Sequence, residues 1–431
     1  MQRLILSLLP LITLVVLVSI SITLFGSDAL SGANQISLLC ATGVCACIAM
    51  GAWKIEWKTI ENAMEKTIGT SSASIVILLI IGMMSGSWMI SGVVPTMIYY
   101  GIQVMSPSFF LVSTCLICAV VSVMTGSSWT TVATIGIALL GIGEALDINN
   151  AWTAGAIISG SYFGDKISPL SDTTVLASSA SQVNIFKHIH YMLYTTIPTF
   201  TIALIVFLIA GFTLGNGGET STKEYTEGLA GTFNISLWTL LVPLFTAILI
   251  VKKVPALITL FLSSIMAGVM AFILQPEIIL SIANEGSEEA GSDIMTMLKG
   301  VMITFFTSTA VDTGNASLND LVSTGGMQGM LDTVWLILCA MCFGGAMTAT
   351  GMLQCITSQM VRMVSGKTSL VSCTALTGFS LNMMTSDQYM SIVLTAEMYR
   401  DVYEEMGLEK RLLSRTTEDS TTVTSVLIPW N

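Results

Sequence analysis

In a chain made mostly of hydrocarbon side chains, the stretch Ser159–Thr174, reading SGSYFGDKISPLSDTT, gathers Asp165, Lys166, Asp172, a proline and a set of glycines and hydroxyls. An ionisable side chain at membrane depth costs roughly 2.5–3.5 kcal/mol on insertion scales, and the usual reason for tolerating it is an ion or proton path. Gly160, Gly164 and Pro169 are expected to interrupt a spanning helix here. Irregular backbone is stable at that depth only when buried in protein or lining a cavity. Carbonyls freed by the break, together with Ser161, Ser168, Ser171, Thr173 and Thr174, offer hard oxygen ligands suited to a small cation. Asp165 and Asp172 add the negative charge, which makes them the expected Na+ carboxylates. A low-dielectric cavity favours a neutral carboxyl and a bound cation favours the ionised one, so a proton and a metal ion can compete for one group.

A second polar group follows a long apolar run as Thr385, Ser386 and Asp387, and a third reads Glu418, Asp419, Ser420, Thr421, Thr422. Asp387 is either a site residue or a helix cap. Asp419 is either a site residue or the local partner of Arg415. Neighbours on a helix do not face each other, so Lys166 is expected to serve as charge partner to Asp387 or Asp419 rather than to Asp165, the alternative being a structural ion pair. Ser127, Ser128 and Thr130 read as ligands or as polar contacts between helices. Glu397 reads as interfacial. His188 and His190 have the right chemistry for pH sensing, but at the start of a span they are expected to be solvated.

These residues need helices to hold them. The 431 residues are 53% hydrophobic and only 10% charged, with a mean hydropathy of +0.80, whereas soluble domains carry about 25% charge. The chain is therefore an all-α polytopic membrane protein. Its net charge of −11 gives no reason to expect nucleic acid. The nine cysteines fall in or beside apolar runs; the C-x-x-C pairs Cys115/Cys118 and Cys339/Cys342 read as small apolar filler rather than zinc sites. The apolar run after Arg3 reads as a retained helix, not a cleaved leader. Trp53, Trp57, Trp88, Trp152 and Trp238 read as interface anchors.

Apolar runs mark about thirteen crossings, near 4–25, 34–53, 72–95, 107–126, 128–144, 151–182, 189–214, 236–252, 255–274, 334–354, 368–386, 388–400 and 412–431. Lys and Arg then collect on alternate loops and put the N-terminus inside. This requires a sharp break at Thr125–Ser128. Residues 215–232 and the acidic stretch 277–293 fall on the opposite side.

The second half repeats the first. Met124–Trp129 matches Met384–Tyr389 (384 − 124 = 260), Leu111–Ser113 matches Leu370–Ser372, and Gly82 matches Gly344. After a shorter connection, Thr173–Val175 is expected to match Thr421–Val423 (421 − 173 = 248). The copies begin an odd number of crossings apart, so they are expected to be inverted, as in alternating-access carriers whose sites form where broken helices meet. The organisation expected is two N-terminal helices and an amphipathic linker in 1–70, a first inverted repeat in 71–214, bridging helices and an extracytoplasmic loop in 215–333, and a second repeat in 334–431. A channel or an intramembrane hydrolase fits less well. The former needs no inverted repeat, and for the latter Gly160-Ser161 is out of register with a G-x-S-x-G nucleophile elbow.

SGSYFGDKISPLSDTT, GSWMISGVVPTMIYYG (Gly86–Gly101), TSDQYMSIVL (Thr385–Leu394) and RTTEDSTTVTSVLIPWN (Arg415–Asn431) together resemble the NhaC family of sodium/proton antiporters, within the larger ion transporter superfamily. The resemblance covers about residues 70–431. It implies a secondary carrier that exchanges Na+ or Li+ for H+ in a bacterial inner membrane, with no cofactor besides the transported ions. The family also contains malate–lactate exchangers and amino-acid carriers, so a carrier of small organic solutes is the alternative. The implied partners are Na+, H+ and the bilayer, a homodimer being one option for assembly. The resemblance also implies one more helix after Pro429-Trp430-Asn431, so the second repeat is expected to lack its last helix.

Overall fold

The computed structural model describes residues 2–214, 219–252, 254–285, 291, 293–314, 316–428 and 430. Lys253, the middle of the acidic stretch 277–293, and Pro429 and Asn431 of the terminal motif lie outside the described residues. The helices are α1 (Gln2–Phe25), α2 (Ala33–Ala52), α3 (Trp57–Ile90), α4 (Val93–Val104), α5 (Pro107–Thr125), α6 (Ser128–Thr131), α7 (Ile137–Ala145), α8 (Asn150–Ile167), α9 (Asp172–Ala180) and α10 (Ile185–Leu214). They continue as α11 (Glu219–Thr232), α12 (Leu241–Val251), α13 (Ala256–Leu274), α14 (Pro276–Asn284), α15 (Ile294–Phe306), α16 (Ala316–Val322), α17 (Leu331–Ala349), α18 (Met352–Arg362), α19 (Lys367–Thr385), α20 (Gln388–Glu405) and α21 (Lys410–Ser425). A π-helical turn, Val132–Gly136, joins α6 to α7.

Among the described residues, eight helices are long and apolar enough to cross a membrane, or nine if Tyr225–Thr232 and Leu237–Val251, bent by 90°, count as one span. The other four expected crossings correspond to α8 with α9, α19, α20 and α21. These form as helices but are more polar or shorter, because they carry hydroxyls and charges that are buried against protein rather than lipid. Residues 219–232 are helical and not a loop.

The chain divides into two compact units. One comprises Met1–Ile75, Asp172–Leu193 and Asp332–Asn431; the other comprises Val76–Ser171 and Tyr194–Leu331. We call them the terminal and the central unit. In the central unit Trp88, Phe110, Leu111, Ile279 and Phe305 belong to one apolar core. Trp88 is buried and its indole N–H donates to Ser263 Oγ at 2.9 Å, so it is a core residue and not an interface anchor. In the same unit Thr309 and Thr324 exchange backbone hydrogen bonds of 2.8 and 3.0 Å, an isolated β-bridge. The terminal unit has one core around Leu38, Ala340, Phe343 and Leu381 and another around Tyr399, Tyr403 and Leu413.

The internal repeat is visible in the backbone. α3 ends at left-handed Gly92 (φ 80°) and α17 is followed by left-handed Gly351 (φ 69°), 259 residues on (351 − 92 = 259). α5 ends at Gly126 (φ 66°, ψ 26°) and α19 at Ser386 (φ 56°, ψ 29°), with 386 − 126 = 260. The next residues, Ser127 and Asp387, share φ −150° and cap the helices that follow. The expected break at Thr125–Ser128 is therefore present, and present twice.

Two expectations change. α8 runs without interruption through Gly160 and Gly164 and ends at Ile167; the break lies at Ser168–Ser171, around Pro169. The glycines serve packing instead. A Cβ on Gly160 would collide with the carbonyl of Cys115 and with Cys118, and one on Gly164 with the carbonyl of Ala119 and with Ser122, so they let α8 lie directly on α5. Second, the repeat partner of Thr421 is Ser161, not Thr173, as the hydrogen bonds below establish.

Candidate functional site

In the central unit the site is assembled where α5 stops. Left-handed Gly126 turns the chain, and no other residue fits because a Cβ there would meet the backbone of Leu170. Ser127 caps the new helix by accepting from Thr130 N–H at 3.2 Å and Thr130 Oγ1 at 3.0 Å. Thr125 Oγ1 closes the turn on the Ser127 carbonyl at 3.2 Å. The freed end of the helix then points at Asp165. Ser128 donates to its Oδ2 twice, from the backbone N–H at 3.2 Å and from the hydroxyl at 2.7 Å. Asp165 and Lys166 are both only 6% exposed. The helix terminus and the Ser128 donors orient the carboxylate of Asp165.

α8 is locked in place around this carboxylate. Ser122 Oγ donates to the carbonyl of Ser161 at 2.5 Å, and Ser168 Oγ to that of Val123 at 2.8 Å. Ser168 caps α8 through its N–H on the Asp165 carbonyl, and Ser171 N–H returns to the Ser168 carbonyl. Ser161, Ser168 and Ser171 are fully buried.

In the terminal unit the same scaffold recurs with other side chains. Asn382 Nδ2 donates to the Thr421 carbonyl at 2.6 Å, standing where Ser122 stands to Ser161 (382 − 122 = 260; 421 − 161 = 260). Ser425 Oγ donates to Gln388 Oε1 at 3.0 Å, the counterpart of the Asp165–Ser128 pair (425 − 165 = 260; 388 − 128 = 260). Thr385 Oγ1 bonds to the Asp387 carbonyl and to Ser391 Oγ as Thr125 does to Ser127 and Thr131. One offset of 260 thus replaces the expected shift to 248. Asp387 occupies the Ser127 position, and its Oδ1 accepts from the N–H groups of Tyr389 and Met390 at 2.8 and 3.4 Å. It is a helix cap. Ser386 is buried in the left-handed turn, and Thr421 Oγ1 returns to the Thr417 carbonyl at 2.7 Å.

Asp172 opens α9 and is exposed, while Thr173 and Thr174 turn inward. Both belong to the terminal unit, where their hydroxyls reach Glu418 Oε1 at 3.1 and 3.5 Å. Thr422 Oγ1 adds a third contact at 3.4 Å. Asp419, the next residue, is half-buried. Arg415 is stacked on the ring of Tyr191 at 4.9 Å.

Glu418 stands beside the expected site residue Asp419 without being chosen itself, and His188 was expected to be solvated. Both are fully buried, so His188 is not a solvated interfacial residue, whereas His190 is exposed. A glutamate flanked by hydroxyls in RTTEDSTT was the available signal for the first. For the second, nothing in an apolar helix start distinguishes a histidine that faces protein from one that faces water.

Residues 2–181 and 160–431 match the model of the Na+/H+ antiporter family. The chain is 35% identical over 377 residues to the Na+/H+ antiporter NhaC of Alkalihalophilus pseudofirmus, covering 88% of this chain and 78% of that protein. It is equally similar, at 35% over 377 residues, to the malate-2H+/Na+-lactate antiporter of Bacillus subtilis, covering 87% and 76%. With the arginine/ornithine antiporter ArcD of Halobacterium salinarum it shares 35% over 429 residues, 99% of this chain and 84% of that protein.

Proposed function

The chain belongs to the Na+/H+ antiporter family, and on that footing we propose that it is a secondary carrier exchanging Na+ or Li+ for H+ by alternating access. The membrane is a bacterial inner membrane, with the N-terminus on the cytoplasmic side. The single observation that carries the site is Asp165, buried and held by the N–H and hydroxyl of Ser128 at the start of a helix. Two fixed donors hold the carboxylate in one orientation whether it faces a cation or carries a proton. A bound Na+ stabilises the ionised form, and without it burial favours protonation, so the two ions occupy the group alternately. Lys166 is assigned the part of charge partner. Asp387, spent on capping, is left out of the ligand set.

The second reading, a Na+- and H+-coupled carrier of a small organic acid or amino acid, draws on the malate/lactate and arginine/ornithine relatives, which are as similar as the antiporter relative. Such a carrier needs amide or cationic groups free for substrate. Asn382 spends its amide on the Thr421 carbonyl and Thr424 Oγ1, which removes one amide from an organic substrate's reach and favours bare cations. Proteoliposomes containing a trapped pH dye test the choice. Na+-driven proton movement that is lost in Asp165→Asn is expected. Uptake of malate, lactate or an amino acid without a pH response overturns the exchange reading, and a flux that neither saturates nor couples to protons identifies a channel.

A further inference from the structure

We propose that His188 and Glu418 form a second proton-binding site, within the terminal unit, that holds one proton between them. The inference deepens the exchange reading and rests on it for its role in transport, though not for its chemistry.

Two buried polar atoms that face each other mark the place for the proton. Ser414 Oγ donates to the Arg411 carbonyl at 3.1 Å, so toward His188 it can only accept. It lies 2.9 Å from His188 Nδ1, and with the serine hydrogen on the Arg411 carbonyl the imidazole hydrogen sits on Nδ1. A neutral ring then presents a lone pair at Nε2, and 3.6 Å away stands Glu418 Oε2, another acceptor when ionised. Among the described residues neither atom has a hydrogen-bond partner, and both side chains are 0% exposed. Two facing lone pairs away from water are costly, and one proton between them satisfies both. Glu418 Oε1 is meanwhile occupied by Thr173, Thr174 and Thr422, so Oε2 is the oxygen left for it.

An open cavity lies near the pair in sequence. Arg411, at the end of the Ser414 chain, lines an open cavity of about 470 Å³ together with Phe186, Lys187, His190 and Glu409. The pair takes its proton from water, and the product of loading is a neutral Glu418 carboxyl hydrogen-bonded to the imidazole. The surrounding charges are otherwise engaged or outward. Arg411 and Arg415 stack on Tyr191 of α10. Tyr399 and Tyr403 of α20 bond to Thr377 and Thr374 of α19. Lys187 and His190 of α10 line the cavity, Asp172 of α9 is exposed and Asp419 of α21 is half-buried.

Two readouts on the full-length protein test this. Infrared difference spectra of purified protein taken across a pH titration are expected to contain a protonated-carboxyl band that disappears in Glu418→Gln; this needs no transport. In proteoliposomes, the pH profile of Na+-driven proton movement is expected to lose one protonation step in Glu418→Gln. In His188→Gln, which leaves Glu418 Oε2 facing an amide instead of the imidazole, the profile is expected to change as well. If Glu418→Gln does not fold, His188→Gln and Ser414→Ala decide, both being expected to alter the profile. A band that persists in Glu418→Gln, or an unchanged profile in the foldable variants, overturns the proposal. Wild-type protein that moves no protons on a Na+ gradient counts against the exchange reading alone, and the infrared result still decides the pair.

Discussion

At Gly126–Ser127 and at Ser386–Asp387 the chain makes the same turn twice: a helix ends left-handed, the next residue caps a new helix, and a second helix is bonded across. What differs is where the charge sits. In the central unit the capping position is a neutral serine, and the carboxylate comes from the helix alongside, as Asp165. In the terminal unit the carboxylate is the cap, and the helix alongside offers Ser425 to Gln388. A carboxylate that caps its own helix has an oxygen committed to local amides. One reached from a neighbouring helix is held by that helix's end. One scaffold thus receives a carboxylate from the side in one unit and uses one as a cap in the other.

Packing beneath the two turns should separate them most. In the central unit the close approach falls on backbone, so Gly164→Ala forces α5 and α8 apart and is expected to cost about 1–3 kcal/mol, read as a lower unfolding midpoint in detergent. In the terminal unit the crossing glycine is Gly378, whose added Cβ would meet the side chains of Ser420 and Thr421. Gly378→Ala should therefore cost less, below about 1 kcal/mol. Equal losses would mean that the two crossings are not packed differently.

The polar contacts give the next contrast. Ser128→Ala removes the hydroxyl donor to Asp165 and is expected to lower exchange about tenfold, the worth of one charged hydrogen bond. Gln388→Ala, at the equivalent position, should leave exchange within about twofold. The smallest effect lies in the turn itself. Ser386 is a non-glycine residue at φ 56°. Ser386→Gly should therefore raise stability by about 1 kcal/mol, measured by thermal unfolding. A loss there would show that the Ser386 hydroxyl contributes more than the strain costs.

Much of this was legible in the residues. Hydropathy announced the membrane class, and the Met124 and Met384 segments gave the true repeat offset, because turn-forming residues recur wherever the backbone must reverse. Asp165 and Ser128 were both singled out, though nothing in their spacing joined them; that contact depends on how α8 crosses α5. Gly160 and Gly164 were read as breaks because glycine serves both unwinding and close approach, and only the opposing helix decides between them. The threonine pairs invited a false register of 248, since hydroxyls recur in every polar helix, whereas Asn382 and Ser122 matched in role but not in type. The burial of Glu418 and His188 was not legible for a related reason: a polar side chain covered by protein leaves no mark on a hydrophobicity pattern.

The central claim is that Asp165 carries the ion while Asp387 holds a helix, and one paired flux assay tests it directly. Asp165→Asn and Asp387→Asn are reconstituted side by side with a trapped pH dye and given the same Na+ gradient. Asparagine caps a helix about as well as aspartate, so Asp387→Asn should move protons at close to the wild-type rate while Asp165→Asn is silent. A silent, correctly folded Asp387→Asn, or an active Asp165→Asn, would contradict the account.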